Sequence, residues 1–137
     1  GRTTMPFGLI LIDVDRFKEV NDEFGHQTGD EALILLADKL KTFEAAHDCH
    51  AGRLGGEEFV VLLNNTDADA CNLVAERIRQ SIEQLQFQID GQPLPMTASL
   101  GHATLRPTDD ARSLLDRADQ RMYAAKHNGR NRVVGEE

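Results

Sequence analysis

The first long apolar segment of the chain runs from Phe7 to Ile12 and ends abruptly in Asp13-Val14-Asp15. A continuous apolar run, without the polar alternation of a half-buried strand, is typical of a strand covered on both faces. The pattern therefore predicts a central strand from Phe7 to Asp13, with acidic side chains at its end.

Four later segments have the residue spacing or the boundary residues of α-helices. One stripe of apolar residues follows the three-and-four spacing of a long amphipathic helix: Ala32, Leu33, Leu36, Leu40 and Phe43. Thr66-Asp67 supplies a cap for another such helix. The predicted helices are Arg16 to Phe24, Gly29 to Ala46, about Ala70 to Leu85, and Asp109 or Asp110 to about His127.

Short apolar runs bounded by turn residues predict the remaining strands. Gly55-Gly56 is a strong signal for a tight hairpin between two of them. The predicted strands are Cys49 to Leu54, Phe59 to Leu63, Phe87 to Ile89, Met96 to Thr104 and Asn131 to Val134. The resulting order is βααββαββαβ, which indicates an α+β domain with a mostly antiparallel central sheet and helices on one face.

Composition narrows the class of protein without identifying it. The chain has 137 residues, 40% of them hydrophobic, so we expect one domain, residues 1–137, with a single core. The net charge of −8 argues against a nucleic acid polymer as partner and against membrane contact by this domain. We expect a cytoplasmic location, with Cys49 and Cys71 as buried free thiols.

The acidic residues at the strand end and at the hairpin are candidate metal ligands. Asp13 and Asp15 share a face by the strand period, and Glu57 and Glu58 follow the glycine turn on alternating faces. Mg²⁺ needs only a few carboxylates, since water and phosphates complete its octahedron. Asp15 has a second interpretation as the cap of the following helix, which makes Asp13 the better candidate. Glutamates beside a turn are also common as solvated residues.

Three separate segments carry recognisable signatures. Residues 13–30 read DVDRFKEVNDEFGHQTGD, residues 55–59 read GGEEF, and residues 118–134 read ADQRMYAAKHNGRNRVV. In order and spacing they resemble the signatures of the GGDEF diguanylate cyclases, and the resemblance spans nearly the whole sequence. The fold of that family is similar to the palm of nucleotide polymerases and cyclases.

The resemblance implies a set of site residues. Metal binding falls to Asp13, the Val14 carbonyl and Glu57, with Mg²⁺ as cofactor, or Mn²⁺ in its place. Glu57, or Glu58 beside it, accepts the proton of the attacking hydroxyl, and Lys18 stabilises the phosphates during catalysis. The implied contacts to the substrate GTP are Phe17, Asn21, His26, Asp30, Gly55, Gly56, Lys126 and Arg130.

Several of these residues have structural interpretations as well. Asp30 could be the N-cap of the long helix, and His26 a residue at the C-terminus of the helix before it. Lys18 could be an ordinary surface lysine. With the full spacing of the family matched, we favour the binding roles.

The chain departs from the family pattern at two places. The product-inhibition motif R-x-x-D of many members falls on Ala46 and Cys49, so we expect that feedback site to be absent. The family's opening D-x-L-T-G-L-x-N-R-R segment is not found, and we expect the chain to be a fragment of a larger regulated protein with a sensory domain.

The resemblance implies an enzyme that condenses two GTP into cyclic di-GMP, a bacterial second messenger, and two pyrophosphates. Two half-sites must face each other in a symmetric homodimer, although we expect the isolated domain to be mostly monomeric. Two alternatives stay open: a regulatory module that binds GTP without efficient turnover, and a domain that only contacts a partner protein.

Overall fold

The computed structural model of the chain describes residues 5–136. These residues form, in chain order, β1 (Phe7–Val14), α1 (Phe17–Phe24), α2 (His26–Ala46), β2 (Cys49–Gly55), β3 (Glu58–Asn64), α3 (Ala68–Glu83), β4 (Gln88–Ile89), β5 (Gln92–Pro93), β6 (Ala98–Thr104), α4 (Ala111–His127) and β7 (Arg132–Val134).

The central sheet has five strands in the order β2-β3-β1-β6-β7. All neighbours are antiparallel except β6 and β7, which are parallel. The predicted α+β class with a mostly antiparallel sheet is therefore confirmed. The predicted order lacks one strand, because residues 92–93 pair with β4 in a separate small hairpin. The observed order is βααββαβββαβ, and a strand of two residues is too short to leave a periodic pattern.

Strand β1 lies at the centre of the sheet and is covered on both faces. Ile10 and Ile12 belong to the cluster formed with α1, α2 and α3, whereas Leu9 and Leu11 pack against α4. The prediction that the helices lie on one face is thus wrong. The physical reason is the apolar run itself, since both sets of alternating side chains in β1 need a covering layer.

The helix boundaries follow local capping chemistry. Asp67 caps α3 by accepting a hydrogen bond from the Ala70 amide at 2.9 Å, and Asp110 forms a capping box with Ser113 at the start of α4. Helix α2 begins at His26 rather than Gly29, because Gly25, at a φ of 92°, is the one residue that separates it from α1.

Two further sequence expectations can be compared with the structure. Cys49 and Cys71 are buried free thiols, as expected. Within residues 5–136, no helix combines the length and the hydropathy that crossing a bilayer requires.

Candidate functional site

An open cleft of about 200 Å³ lies at the C-terminal end of β1. It brings together side chains from the strand end, the start of α1, the hairpin tip and the end of α4. Its lining consists of Asp13, Val14, Asp15, Arg16, Phe17, Lys18, Glu57, Lys126 and Arg130. The cleft therefore gathers most of the predicted metal-binding and phosphate-binding residues.

Asp13 is a buried carboxylate inside this cleft, with 4% of the residue exposed. Its pKa is raised to about 6: burial raises it most, the Lys126 ammonium lowers it, and the nearby carboxylates of Glu57 and Glu58 raise it. Lys126 Nζ donates to Asp13 Oδ2 at 2.5 Å. The charged form of the Asp13 carboxylate is therefore unfavourable in this cleft, and an additional positive charge nearby would stabilise it.

The hairpin tip presents Glu57 to the end of β1. Gly55 pairs with Glu58, so the turn residues are Gly56 and Glu57 rather than the expected Gly55 and Gly56. Gly56 has a φ of 51°, a conformation that glycine adopts without steric cost. Two hydrogen bonds hold the tip: the Val14 amide donates to the Glu57 carbonyl at 3.2 Å, and Arg53 Nε donates to the Gly56 carbonyl at 2.8 Å.

Glu58 occupies a different position from Glu57. It is the first residue of β3 and pairs directly with Asp13 of β1, so the two side chains project from the same face of the sheet. Glu57 lies in the turn and lines the cleft. The two glutamates therefore do not alternate along one strand, and both stand close enough to Asp13 to raise its pKa.

Asp15 is not the cap of α1, and that prediction is wrong. The residue before α1 is Arg16, in a left-handed conformation without a side-chain cap bond. The Asp15 carboxylate instead accepts from Thr97 Oγ1 at 2.7 Å, Ser99 Oγ at 2.6 Å and the Asn131 amide at 2.9 Å. Polar Ser99 inside the apolar β6 was the signal available in the sequence, but its partner is 84 residues away along the chain.

The candidate phosphate-binding residues come from both ends of the chain. Lys18 is exposed in the first turn of α1, and Arg130 is exposed in the loop after α4. Lys126 lies in the last turn of α4 with a third of its side chain exposed. Together they place positive charge around the acidic floor of the cleft, as binding of a triphosphate requires.

The candidate guanine-binding residues surround the joint between α1 and α2, outside the lining of the cleft. The Asn21 side chain lies over Gly29, and its Oδ1 is buried without a hydrogen-bond partner. Asp30 is exposed next to Gly29 and lies within α2, so it is not an N-cap. His26 begins α2 rather than ending α1. Phe17 is a core residue, 6% exposed, beneath Gly29 at the edge of the cleft.

The residues at the cleft fit a divalent cation that takes few protein ligands. Among residues 5–136, no group of three or more acidic, histidine or cysteine side chains is close enough to enclose a metal. Asp13, Glu57 and the Val14 carbonyl would leave most coordination positions to water and phosphate, which is the preference of Mg²⁺. Burial is the main cause of the raised pKa of Asp13, with smaller contributions from Glu57 and Glu58, and a cation at the site would favour the charged carboxylate.

The positions of the product-inhibition motif carry no charge. Ala46 is the last residue of α2, and Cys49 is a buried residue at the start of β2 whose Sγ lies 3.6 Å from the Phe43 carbonyl. Neither side chain can form the charged contacts of an arginine or an aspartate.

Fold and cleft together define the class of protein: an α+β domain with a mixed central sheet, and with acidic and basic side chains gathered at one end of that sheet. A family model described as "Diguanylate cyclase, GGDEF domain" matches residues 1–132. The chain belongs to the GGDEF family.

Relatives and solved structures agree with this family. The chain is 42% identical over 135 residues to diguanylate cyclase A of Treponema denticola, covering 98% of this chain and 36% of that protein. It therefore spans about a third of that relative. The GGEEF domain of a Vibrio cholerae diguanylate cyclase is similar with a TM-score of 0.88 and 37% identity, covering 97% of this chain and 84% of that one.

A second solved structure contains a bound nucleotide. The GGDEF domain of DgcB from Caulobacter crescentus, in complex with c-di-GMP, has a TM-score of 0.88 and 34% identity. The similarity covers 96% of this chain and 76% of that chain.

Proposed function

We propose that this domain is a diguanylate cyclase that condenses two GTP molecules into cyclic di-GMP and two pyrophosphates. The observation that carries the proposal is the cleft at the end of β1. There, the carboxylates of Asp13 and Glu57 can bind a cation. The positively charged side chains of Lys18, Lys126 and Arg130, which can bind phosphates, line the same small cleft. Membership of the GGDEF family supports the same reaction.

The proposed reaction forms two phosphodiester bonds. The 3′-oxygen of each GTP attacks the α-phosphorus of the other, the bond from that phosphorus to the pyrophosphate oxygen breaks, and pyrophosphate leaves. The hydroxyl proton passes to Glu57, or to Glu58 beside it, as general base. Lys18, Lys126 and Arg130 hold the phosphates and their developing charge. A Mg²⁺ ion held by Asp13, Glu57 and the Val14 carbonyl would lower the pKa of the attacking hydroxyl.

We propose that guanine binds at the joint between α1 and α2. A carboxylate there, Asp30, can accept hydrogen bonds from the guanine N1 and N2 hydrogens, which adenine does not offer. The unpaired Oδ1 of Asn21 is an acceptor for the same base, since a buried amide oxygen without a partner is unfavourable. His26, Phe17 and the glycines of the hairpin complete the proposed substrate contacts.

The reaction needs two copies of the domain. Each copy holds one GTP, so a symmetric homodimer is required to bring each 3′-hydroxyl to the partner's nucleotide. We propose that the isolated domain is mostly monomeric and that an additional sensory domain supplies the pairing. A cytoplasmic location goes with this substrate. We also propose that feedback inhibition through an R-x-x-D site is absent.

The test is incubation with Mg²⁺ and GTP at high protein concentration, followed by chromatographic separation of the products. Wild type is expected to form cyclic di-GMP, whereas Glu57→Ala and Asp30→Ala are expected to lose most of this activity. Glu31→Ala, an exposed acid next to Asp30, is the matched control.

Two outcomes separate the alternatives. Binding of GTP by wild type without product would favour a regulatory GTP-binding module. Absence of any rise in melting temperature with Mg²⁺ and GTP would favour a domain that contacts only a partner protein.

A further inference from the structure

The Asp15 carboxylate joins the end of β1 to the loop that follows α4. Its Oδ2 accepts from both Thr97 Oγ1 and the Asn131 amide, and its Oδ1 accepts from Ser99 Oγ. The residue is 9% exposed. A carboxylate is suited to this place because it offers acceptors only, and three donors converge on it.

The loop after α4 has a backbone that needs external support. Arg130 and Asn131 are consecutive non-glycine residues in the left-handed region, with φ values of 62° and 45°. Non-glycine residues adopt this conformation at a steric cost, which is smaller for Asn, so the surrounding contacts must hold the conformation at Arg130 in particular. Arg79 Nη1 donates to Asn131 Oδ1 at 3.0 Å, and Asn131 Nδ2 donates to Glu83.

Asp13 and Asp15, at the end of β1, therefore hold the two ends of the segment from Lys126 to Asn131. Asp13 accepts from Lys126, and Asp15 accepts from the amide of Asn131. Arg130 lies between these two attachment points and lines the cleft. The Asp15–Asn131 contact therefore helps to fix the backbone from which the Arg130 side chain projects, together with the hydrogen bond from the Arg130 amide to the Ala125 carbonyl at 3.0 Å.

We propose that Asp15 is a positioning residue, which holds the loop of Arg130 in the conformation that contacts the substrate phosphates. This inference rests on the proposed binding of GTP in the cleft. Asp15 acts through Arg130 and contacts neither the nucleotide nor a metal in this role. Its loss should weaken phosphate binding and leave guanine binding unchanged.

The test measures binding of 3′-deoxy-GTP with Mg²⁺ by calorimetry, since this analogue lacks the attacking hydroxyl and cannot react. Asp15→Asn is expected to weaken binding about tenfold in the wild-type background, which is the effect of one mispositioned charged contact. In an Arg130→Ala background the same substitution is expected to weaken binding less than twofold. Equal losses in both backgrounds would overturn the proposal, as would an equal loss of guanosine affinity.

A second pair of measurements separates positioning from general destabilisation. Thr97→Val combined with Ser99→Ala removes the other two donors and keeps the bond to Asn131, so less than a twofold change in affinity is expected. In wild type the Asn131 amide should exchange with solvent slowly; rapid exchange would contradict the proposal even if Asp15→Asn did not fold. Failure of wild type to bind 3′-deoxy-GTP would instead refute the proposed function together with this inference.

Discussion

Lys126 Nζ lies 2.5 Å from Asp13 Oδ2, in an ion pair that joins residues 113 positions apart. Asp13 is buried and flanked by Glu57 and Glu58, which raise its pKa. Lys126 lowers that pKa but does not offset the effect of burial. The lysine therefore acts as a counter-ion for Asp13, and it must share this carboxylate with any cation that binds there.

Replacement of Lys126 tests this double role. Lys126→Met is expected to lower kcat/KM by about 10- to 100-fold, because a charged contact to phosphate is lost. The substitution is also expected to lower the melting temperature, because the buried Asp13 carboxylate loses its counter-ion. Lys41→Met, an exposed lysine of α2, is the control for loss of charge. Unchanged kcat/KM in Lys126→Met would contradict the proposed phosphate contact.

The two hairpin glutamates should differ in their effect on turnover. Glu57 lines the cleft, whereas Glu58 pairs with Asp13 at the start of β3. Glu57→Gln is expected to lower kcat by about 10²- to 10⁴-fold, the usual contribution of a general base. Glu58→Gln should lower it less. Steady-state assays of both variants at saturating Mg²⁺ measure the difference, and a larger loss for Glu58→Gln would reverse the assignment.

Gly29 provides a test of base recognition in which no polar residue is replaced. A Cβ at this position would lie 1.9 Å from Asn21 Oδ1 and 2.9 Å from Phe17 Cζ. Gly29→Ala is therefore expected to displace the Asn21 amide and to reduce the preference for GTP over ATP by about tenfold, or about 1.4 kcal/mol. Competition binding with ATP measures this preference. Retention of the full preference in a folded Gly29→Ala variant would remove Asn21 from the guanine site.

His102 predicts a pH dependence of stability. Burial lowers its pKa, and nearby Arg121 lowers it further, while Nε2 contacts Asn72 Oδ1 at 3.0 Å and Nδ1 has no partner. Because the pKa of His102 is lower in the folded state, the unfolded state binds a proton more readily below about pH 6.5, so stability is present above that pH and falls as pH decreases.

Replacing this histidine with an aliphatic residue should remove that dependence. Between pH 7 and pH 5, His102→Leu is expected to lose less stability than wild type, by up to about 1.4 kcal/mol for each pH unit. Thermal melts across this range measure the difference, and His50→Gln, at an exposed histidine of β2, is the control. Parallel curves for wild type and His102→Leu would disprove the prediction.

Activity should depend on protein concentration. Because each proposed half-site holds one GTP, the specific activity of a mostly monomeric domain is expected to rise with concentration until dimers predominate. Initial rates over a dilution series, with sedimentation at the same concentrations, measure this dependence. A constant specific activity across the series would argue against assembly as the limiting step.

The features that could be predicted from the sequence are local ones. The apolar run of β1, the Asp67 cap of α3 and the Gly25 interruption between α1 and α2 each arise from neighbouring residues. The hairpin was also predictable, although the turn is displaced by one residue because of an irregularity between Arg53 and Gly55.

The features that were missed depend on distant partners. Asp15 has the pattern of a helix cap, yet its hydrogen-bond partners lie 82 to 116 residues later in the chain. The apolar run of β1 indicates that both sheet faces are covered, but no local pattern specifies that α4 is the helix that covers the second face. Residues 92–93 form a strand only because Gln88 and Ile89 are opposite them.

The central place of β1 has a consequence for how the domain folds. This strand is made early, but its partners β3 and β6 follow much later, and Asp13 meets Lys126 only across 113 residues. Pairings so distant in sequence close large loops and are slow to form. Since synthesis proceeds from the N-terminus, β1 stays unpaired until β3 and β6 have been made, and the cleft is completed only when nearly all of this domain has left the ribosome.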